Sequence, residues 1–325
     1  MVRMLLLVVV CIGLLPIQMR AQKNSYIIPG EVWKDTDGNP INAHGGGLLY
    51  HDGTYYWYGE YKKGKTILPD WATWECYRTD VTGVGCYSSK DLLNWKFEGI
   101  VLPAVKEDPN HDLHPSKVLE RPKVIYNKKT GKFVMWAHVE SADYSKACAG
   151  VAVSDFPNGP FTYLGSFRPN NAMSRDQTVF VDDDGQAYFY WGQLASHGVK
   201  LNPDMVSFDE DSVVDNLVRE EEHFFHEGSS MRRIGDTYYY IYADMERGKP
   251  TALGYSTSKS PLGPFEYRGI IIDNADCDPA SWNNHGSIEC VNGQWYVFYH
   301  RCSRGVKEKR RRCIETIQIL QDGSI

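Results

Sequence analysis

One phrase constrains this chain more than any other: a turn glycine followed at once by a dense aromatic strand, five times over. The copies read GTYYWY from Gly53, GKFVMW from Gly131, GQAYFYW from Gly185, GDTYYYIY from Gly235 and GQWYVFY from Gly293, spaced 50 to 78 residues apart. A shorter apolar stretch precedes each turn: Leu48 to Tyr50, Val124 to Tyr126, Val179 to Val181, Met231 to Ile234 and Ile288 to Val291. Three copies continue into a third strand with a kindred ending, Tyr87 to Trp95, Val153 to Phe161 and Tyr255 to Phe265. Such runs joined by glycine turns read as antiparallel meanders. Five meanders that repeat one strand order fit a radial array better than a sandwich, so the expected fold is all-β, a five-bladed β-propeller. The aromatic strands are read as core, because sheets packed face to face need large flat side chains, and 13% of the 325 residues are aromatic.

The N-terminal stretch MVRMLLLVVVCIGLLPIQMRAQ carries an early arginine, an apolar run from Met4 to Leu15 and a small residue, Ala21. That is a signal-peptide layout, too short for a membrane span. Cleavage near Ala21 is favoured over lipid attachment at Cys11. The expected organisation is a signal peptide over 1–21 and a single propeller domain over 22–325, in a monomer that is secreted or periplasmic. Export allows disulfides, and among the seven remaining cysteines Cys76 and Cys86, which bracket one loop, are the simplest pair. No CxxC spacing points to zinc. With 35 basic against 41 acidic residues, neither nucleic acid nor an anionic membrane is an expected partner. The basic run Lys307 to Arg312 reads as a solvated hairpin or sheet edge.

In a propeller the first strand of each blade lines the central channel, so residues at the start of those strands meet at one mouth. Counting back eight to eleven residues from each turn glycine gives Glu120, Asp176, Glu227 and His285, while the first blade offers His44 followed by Gly45-Gly46-Gly47. Two carboxylates flanking a glycosidic bond are the minimum for its hydrolysis, one to protonate the leaving oxygen and one to activate water or attack the sugar. A third nearby raises the proton affinity of the acid. The plain alternative is that one or more of these acids ties down a channel-lining loop. His285 reads equally as a catalytic group and as a channel histidine holding water or a metal.

These residues carry a family resemblance. DGTYY from Asp52, SRDQTVFVDDDG from Ser174, HEGSSM from His226 and NHGS from Asn284 together resemble glycoside hydrolase family 43, over about residue 40 to the C-terminus. The resemblance implies a five-bladed propeller that hydrolyses plant polysaccharides containing arabinose, xylose or galactose with inversion. It makes Glu227 the general acid and Asp176 the carboxylate that tunes and orients it. The family's usual base is an aspartate in an Asp-Pro phrase before the first strand, and that place falls here on His44-Gly45-Gly46, which has no acid. AHGGG from Ala43, YWYGEYK from Tyr56 and ERPKVIYN from Glu120 resemble the exo-β-1,3-galactanase subgroup, which also lacks that aspartate. By that resemblance Glu120 contacts the sugar, and a late side-chain amide serves as base. The equivalent neighbourhood here is Trp282-Asn283-Asn284-His285.

The expected site therefore has Glu227, Asp176 and Glu120 as catalytic residues, with His44, Gly45, Glu60, Tyr126, Asn284 and His285 against the substrate. Glu60 and Glu120 are further candidates for orienting water, and Trp71, Trp74 and Trp282 read as sugar platforms or as packing. No cofactor is expected, although a structural calcium near His285 is compatible with the pattern. The expected activity is release of galactose from β-1,3-galactan. The alternatives are an α-L-arabinofuranosidase or β-xylosidase of the same family, and a carbohydrate-binding propeller without turnover.

Overall fold

A computed structural model describes residues 26–67, 78–277, 283–303 and 306–325. Its strands form five antiparallel sheets in chain order. The first holds β1 (His44–His51), β2 (Thr54–Ile67), β3 (Arg78–Ser89) and β4 (Lys96–Pro103). The second holds β5 (Val118–Asn127), β6 (Lys132–Glu140), β7 (Cys148–Ser154) and β8 (Thr162–Phe167). The third holds β9 (Thr178–Val181), β10 (Ala187–Gln193), β11 (Ala195–Leu201) and β12 (Phe208–Arg219). The fourth holds β13 (Phe225–Ile234), β14 (Thr237–Asp244), β15 (Ala252–Ser258) and β16 (Glu266–Asp273). The fifth has three strands, β17 (Gly286–Val291), β18 (Gln294–Ser303) and β19 (Val306–Ile317). This is the five-bladed propeller that the repeat implies.

The five turn glycines all have positive φ, from +59° at Gly235 to +86° at Gly185, and a side chain at any of them would meet only open space. Their role is conformational. Asp52-Gly53 and Asn292-Gly293 place two successive residues at positive φ, as a type I′ hairpin turn demands.

Five hydrophobic clusters fill the five seams between neighbouring blades. Tyr58 and Val84 meet Phe133 and Met135 between the first and second blades. Trp136 stacks on Phe208 at 5.1 Å between the second and third. Tyr190 meets Tyr240 between the third and fourth, and Ile241 meets Ile288 and Val297 between the fourth and fifth. Trp57 and Trp95 pack with Tyr296 and Phe298 of the fifth blade, so the ring is closed. Its closure is reinforced from the N-terminal side: Gly30 N–H donates to the Arg312 carbonyl of β19, and the Arg312 guanidinium donates to the Ile41 carbonyl. The aromatic strands are core as expected, with Trp136, Trp191, Tyr190 and Tyr240 fully buried. The basic run Lys307 to Arg312 lies on β19, the edge strand of its sheet.

Cys86 is a free, buried thiol facing the first seam, which overturns its pairing with Cys76, a residue outside the described ones. The signal segment 1–21 and Trp71, Trp74 and Trp282 also lie outside the described residues. Among the described residues no helix is long and apolar enough to cross a membrane.

Candidate functional site

The blade-start residues do converge, and irregular backbone aims them. The innermost strands break register where their site residues sit: between His44 and Gly47 in β1, between Glu120 and Lys123 in β5, and on both sides of Glu227 in β13. A bulge of this kind turns a side chain out of the pleat toward the channel mouth. Asp176 and His285 stand just before β9 and β17. Gly45, Arg121, Asp176 and Gly228 all have positive φ, a clustering of sparsely populated backbone that is common at functional sites.

Around Glu227 the geometry is tight. Gln193, the last residue of β10, donates its side-chain N–H to Glu227 Oε2 at 2.8 Å, and His285 Nε2 lies 3.2 Å from Oε1. Gly228 makes the second contact feasible, since a Cβ there would fall 2.4 Å from the His285 ring. One carboxylate oxygen or ring nitrogen from each of Asp176, Glu227 and His285 lies within 4.8 Å of the others. Asp176 is held in turn by Arg121, whose Nε–H donates to Oδ1 at 3.0 Å. A cation placed among these three would find two carboxylates, each already engaged by a neighbour, and one imidazole nitrogen. Calcium takes six to eight oxygens, so most of its shell would have to come from water.

Glu120 sits in a second cluster with Asp176 and His138. Tyr144 donates its hydroxyl to Glu120 Oε1 at 3.1 Å, and His138 Nδ1 is 3.4 Å from Oε2. The other ring nitrogen of His138 is 3.5 Å from Glu140. Glu140 accepts the backbone N–H groups of Ser141, Lys146 and Ala147, which ties down the loop that carries Tyr144. Burial alone would drive the proton off His138, but the two flanking carboxylates outweigh it and lift the ring to about 9. Desolvation likewise pushes Glu120 up, and His138 and Arg121 bring it down to about 2.

Glu60 of β2 answers what the glycine triplet is for. Its carboxylate is fully buried, with Oε2 at 2.6 Å from the Lys62 ammonium and 3.1 Å from His44 Nδ1, and with Oε1 accepting the Arg121 backbone N–H. Desolvation raises the Glu60 carboxyl, yet Lys62, His44 and Arg121 hold it well below the ordinary range. Desolvation and Lys62 push His44 down to about 4, so it serves as a neutral ring. A Cβ on Gly45 would fall 2.4 Å from Glu60 Oε1, one on Gly46 would fall 1.6 Å from the Tyr58 carbonyl oxygen, and one on Gly47 would fall 2.5 Å from Lys123 Cδ. Each absent side chain is thus replaced by a specific group from a neighbouring strand. The space beside the first strand holds Glu60 and Lys123.

Gly45, Arg121, Lys123, Asp176 and His285 line one cavity that runs into the channel. Tyr126 does not join it: six residues beyond Glu120 on β5, it packs on His51 and Phe133 in the first seam. Asn284 is buried, and its backbone and side-chain N–H groups tie to the carbonyls of Pro250 and Thr251. Sequence reasoning did not single out Gln193, Tyr144, His138, Arg121 or Lys123 as individual residues. Only Arg121 and Lys123 carried a signal, as members of the ERPK phrase.

A family model for glycosyl hydrolases family 43 matches residues 48–325. A curated xylosidase/arabinosidase of Thermoclostridium stercorarium is 30% identical over 280 residues, 74% of this chain and 56% of that protein. The chain spans about half the length of the first curated relatives it matches. Among solved structures, a GH43 β-1,3-galactosidase in complex with galactodeoxynojirimycin is 30% identical at a TM-score of 0.76, covering 91% of this chain and 96% of that one. The exo-β-1,3-galactanase of Phanerochaete chrysosporium with β-1,3-galactotriose is 26% identical at a TM-score of 0.74, covering 90% and 64%. Fold, site and family model agree, and the chain belongs to glycosyl hydrolases family 43.

Proposed function

We propose that this chain is an exported, inverting exo-glycosidase that removes galactose from β-1,3-linked galactan. The observation that carries the reading is the likeness to the galactodeoxynojirimycin-bound β-1,3-galactosidase across nearly the whole of both chains. In this reading Glu227 is the general acid. Gln193 engages Oε2 and leaves Oε1 to carry the proton, beside His285. Asp176, fixed by Arg121, orients the acid and shapes the field around it. Glu120, ionised and held by Tyr144 and His138, accepts hydrogen bonds from sugar hydroxyls. A second reading, hydrolysis of xylosides or arabinofuranosides, is favoured by the names of the curated sequence relatives.

The test is product analysis on β-1,3-galactan, arabinan and xylan, with Glu227→Gln alongside. Galactose is expected from the wild type, as the α-anomer in the first product because inversion of a β-linkage gives α. A loss of about 10²-fold or more is expected in Glu227→Gln, the usual contribution of a positioned acid. Arabinose or xylose would keep the mechanism and change the substrate. Full activity in Glu227→Gln would refute the assigned acid. A folded chain that cleaves none of the three would refute the enzyme reading, and calorimetric binding without product would identify a binding propeller.

A further inference from the structure

The proposed reaction needs a group that takes a proton from the attacking water, and the obvious candidates fail on geometry or on chemistry. His285 lies 3.2 Å from Glu227 and Asp176 is in the same 4.8 Å cluster. An inverting base stands roughly 6.5–9.5 Å from the acid, so that sugar and water fit between them. Glu60 is closed off from solvent and already saturated by Lys62, His44 and the Arg121 N–H. Glu120 is stabilised as an anion by His138 and is a poor proton acceptor at neutral pH. The amide of Asn284 is turned into the fold.

Lys123 is outside the Glu227 cluster and carries a different chemistry. Its stem fills the space beside Gly47, and its Nζ donates to the Gly45 carbonyl at 3.0 Å, at the place in the first blade where the site has no carboxylate of its own. It lines the same cavity as Gly45, Asp176 and His285. It sits on β5, which packs against β1 and β9, whereas Glu227 sits on β13 two blades away. Among the described residues no carboxylate lies within ion-pair distance of the amine; its polar contacts are two backbone carbonyls, Gly45 and Arg121.

We propose that Lys123 is the general base of this enzyme, acting as a neutral amine; the assignment rests on the glycosidase reading given above. As the water oxygen bonds to C1, one of its protons passes to Lys123 Nζ. The C1–O bond breaks, its electron pair leaves on the aglycone oxygen, and that oxygen takes the proton from Glu227. One water is consumed, and the ammonium at Lys123 and the carboxylate at Glu227 are reset by proton exchange with solvent. The surroundings suit this role. Burial first, then the Arg121 and Arg232 guanidiniums, depress the amine to about 7, against the opposing pull of Glu60 and Asp176. Arg232 is itself paired with Glu289 of β17, and the charges acting on Lys123 include Arg121, Arg232, Glu60 and Asp176, one from each of four blades. A base is most effective when its proton affinity matches the working pH, and burial among cations is how lysines reach that range.

The experiment compares wild type, Lys123→Arg, Lys123→Ala and Glu227→Gln on β-1,3-galactobiose, on 4-nitrophenyl β-D-galactopyranoside and on the corresponding xyloside and arabinofuranoside. Lys123→Arg keeps a donor for the Gly45 carbonyl but stays charged at every working pH and cannot take the proton. It should lose about 10²- to 10⁴-fold in kcat/KM while melting like the wild type. The wild-type rate should rise with pH through about 7, that limb should vanish in both lysine variants, and added ethylamine should restore activity to Lys123→Ala. Lys123→Arg within about threefold of the wild type, or an unchanged limb in either variant, would overturn the proposal while Glu227→Gln still reports on the acid. Activity on a xyloside or arabinofuranoside alone would change the substrate and leave the lysine comparison intact. If the folded wild type cleaves nothing, the glycosidase reading and the base fall together.

Discussion

Alanine placed in turn at Gly45, Gly46 and Gly47 should give three different outcomes, because each added methyl meets a different kind of neighbour. At Gly46 the methyl would fall 1.6 Å from the Tyr58 carbonyl oxygen, with the Tyr58 carbonyl carbon and Gly59 Cα also within 3.0 Å. Backbone cannot rotate away, so β1 and β2 must separate. Overpacking costs about 1–3 kcal/mol or more, and each ladder hydrogen bond lost adds about 1 kcal/mol, which together put this variant at about 4 kcal/mol or beyond. At Gly45, with φ +59°, the left-handed backbone costs alanine about 1–2 kcal/mol. Displacing Glu60 from the Arg121 N–H removes a charged hydrogen bond worth about 1.5–3 kcal/mol. The sum, about 2.5–5 kcal/mol, corresponds to a fall in Tm on the order of 10 °C for a chain of this size. At Gly47 the methyl meets only the flexible stem of Lys123 at 2.5 Å, and replacing a strand glycine returns about 0.5–1 kcal/mol. This third variant should melt close to the wild type and yet lose activity, since the Lys123 amine can no longer reach the Gly45 carbonyl. Urea midpoints and thermal melts, read beside hydrolysis rates, check the order. A Gly46→Ala protein as stable as the wild type, or Gly47→Ala as the least stable of the three, would refute the reasoning.

Two further predictions follow from buried ionisable groups. His138 titrates near 9 in the folded chain against an ordinary 6.5, so the stability it contributes is complete below about 6.5 and is lost as pH rises through 9; the gap in urea midpoint between wild type and His138→Gln should therefore shrink from pH 6 to pH 10, and a constant gap would contradict a charged ring. Asp244, at the end of β14, is lifted to about 6 chiefly by burial, so it penalises the fold progressively from about pH 4 and fully above pH 6. Asp244→Asn should melt above the wild type at pH 8 and match it at pH 4, and the reverse order at pH 8 would contradict the burial argument.

How far the sequence could be read depended on which residues share the phase of the repeat. The turn glycines and first-strand acids recur once per blade, and a recurring position in the chain is a recurring position in space. Glu120, Asp176, Glu227 and His285 were therefore found by counting, and the structure brings them to one mouth. Gln193 and His138 lie on second strands and Tyr144 in a loop, away from the first-strand starts that the counting followed, although His138 shares its offset of seven residues from the turn glycine with Glu60 and His300. Tyr126 shared a phrase with Glu120, but at about 3.3 Å per residue six positions along a strand is about 20 Å, enough to leave the site for the first seam. Asn284 adjoins His285 in sequence, yet its side chain turns into the fold. The Cys76–Cys86 pairing rested on loop closure alone, and Cys86 is a free, buried residue of the first seam.

Cations from the first two blades explain how so many acids can share a mouth. Glu60, Glu120 and Asp176 come from three blades, and three uncompensated carboxylates at such range would repel each other by several kcal/mol at the effective dielectric of a protein surface. Arg121 touches two of them, through its backbone N–H to Glu60 and its guanidinium to Asp176, and His138 holds the third. Both belong to the β5–β6 hairpin of the second blade, and Lys62 of β2 supplies the nearest cation to Glu60. Lys123 stands two residues from Arg121 on the same strand, where the acids within range are already claimed by other cations. The charge balance that lets the carboxylates converge is thus the same arrangement that leaves the Lys123 amine, among the described residues, on backbone carbonyls with no carboxylate beside it, and an amine so placed among arginines is the condition for a lysine to act as a base.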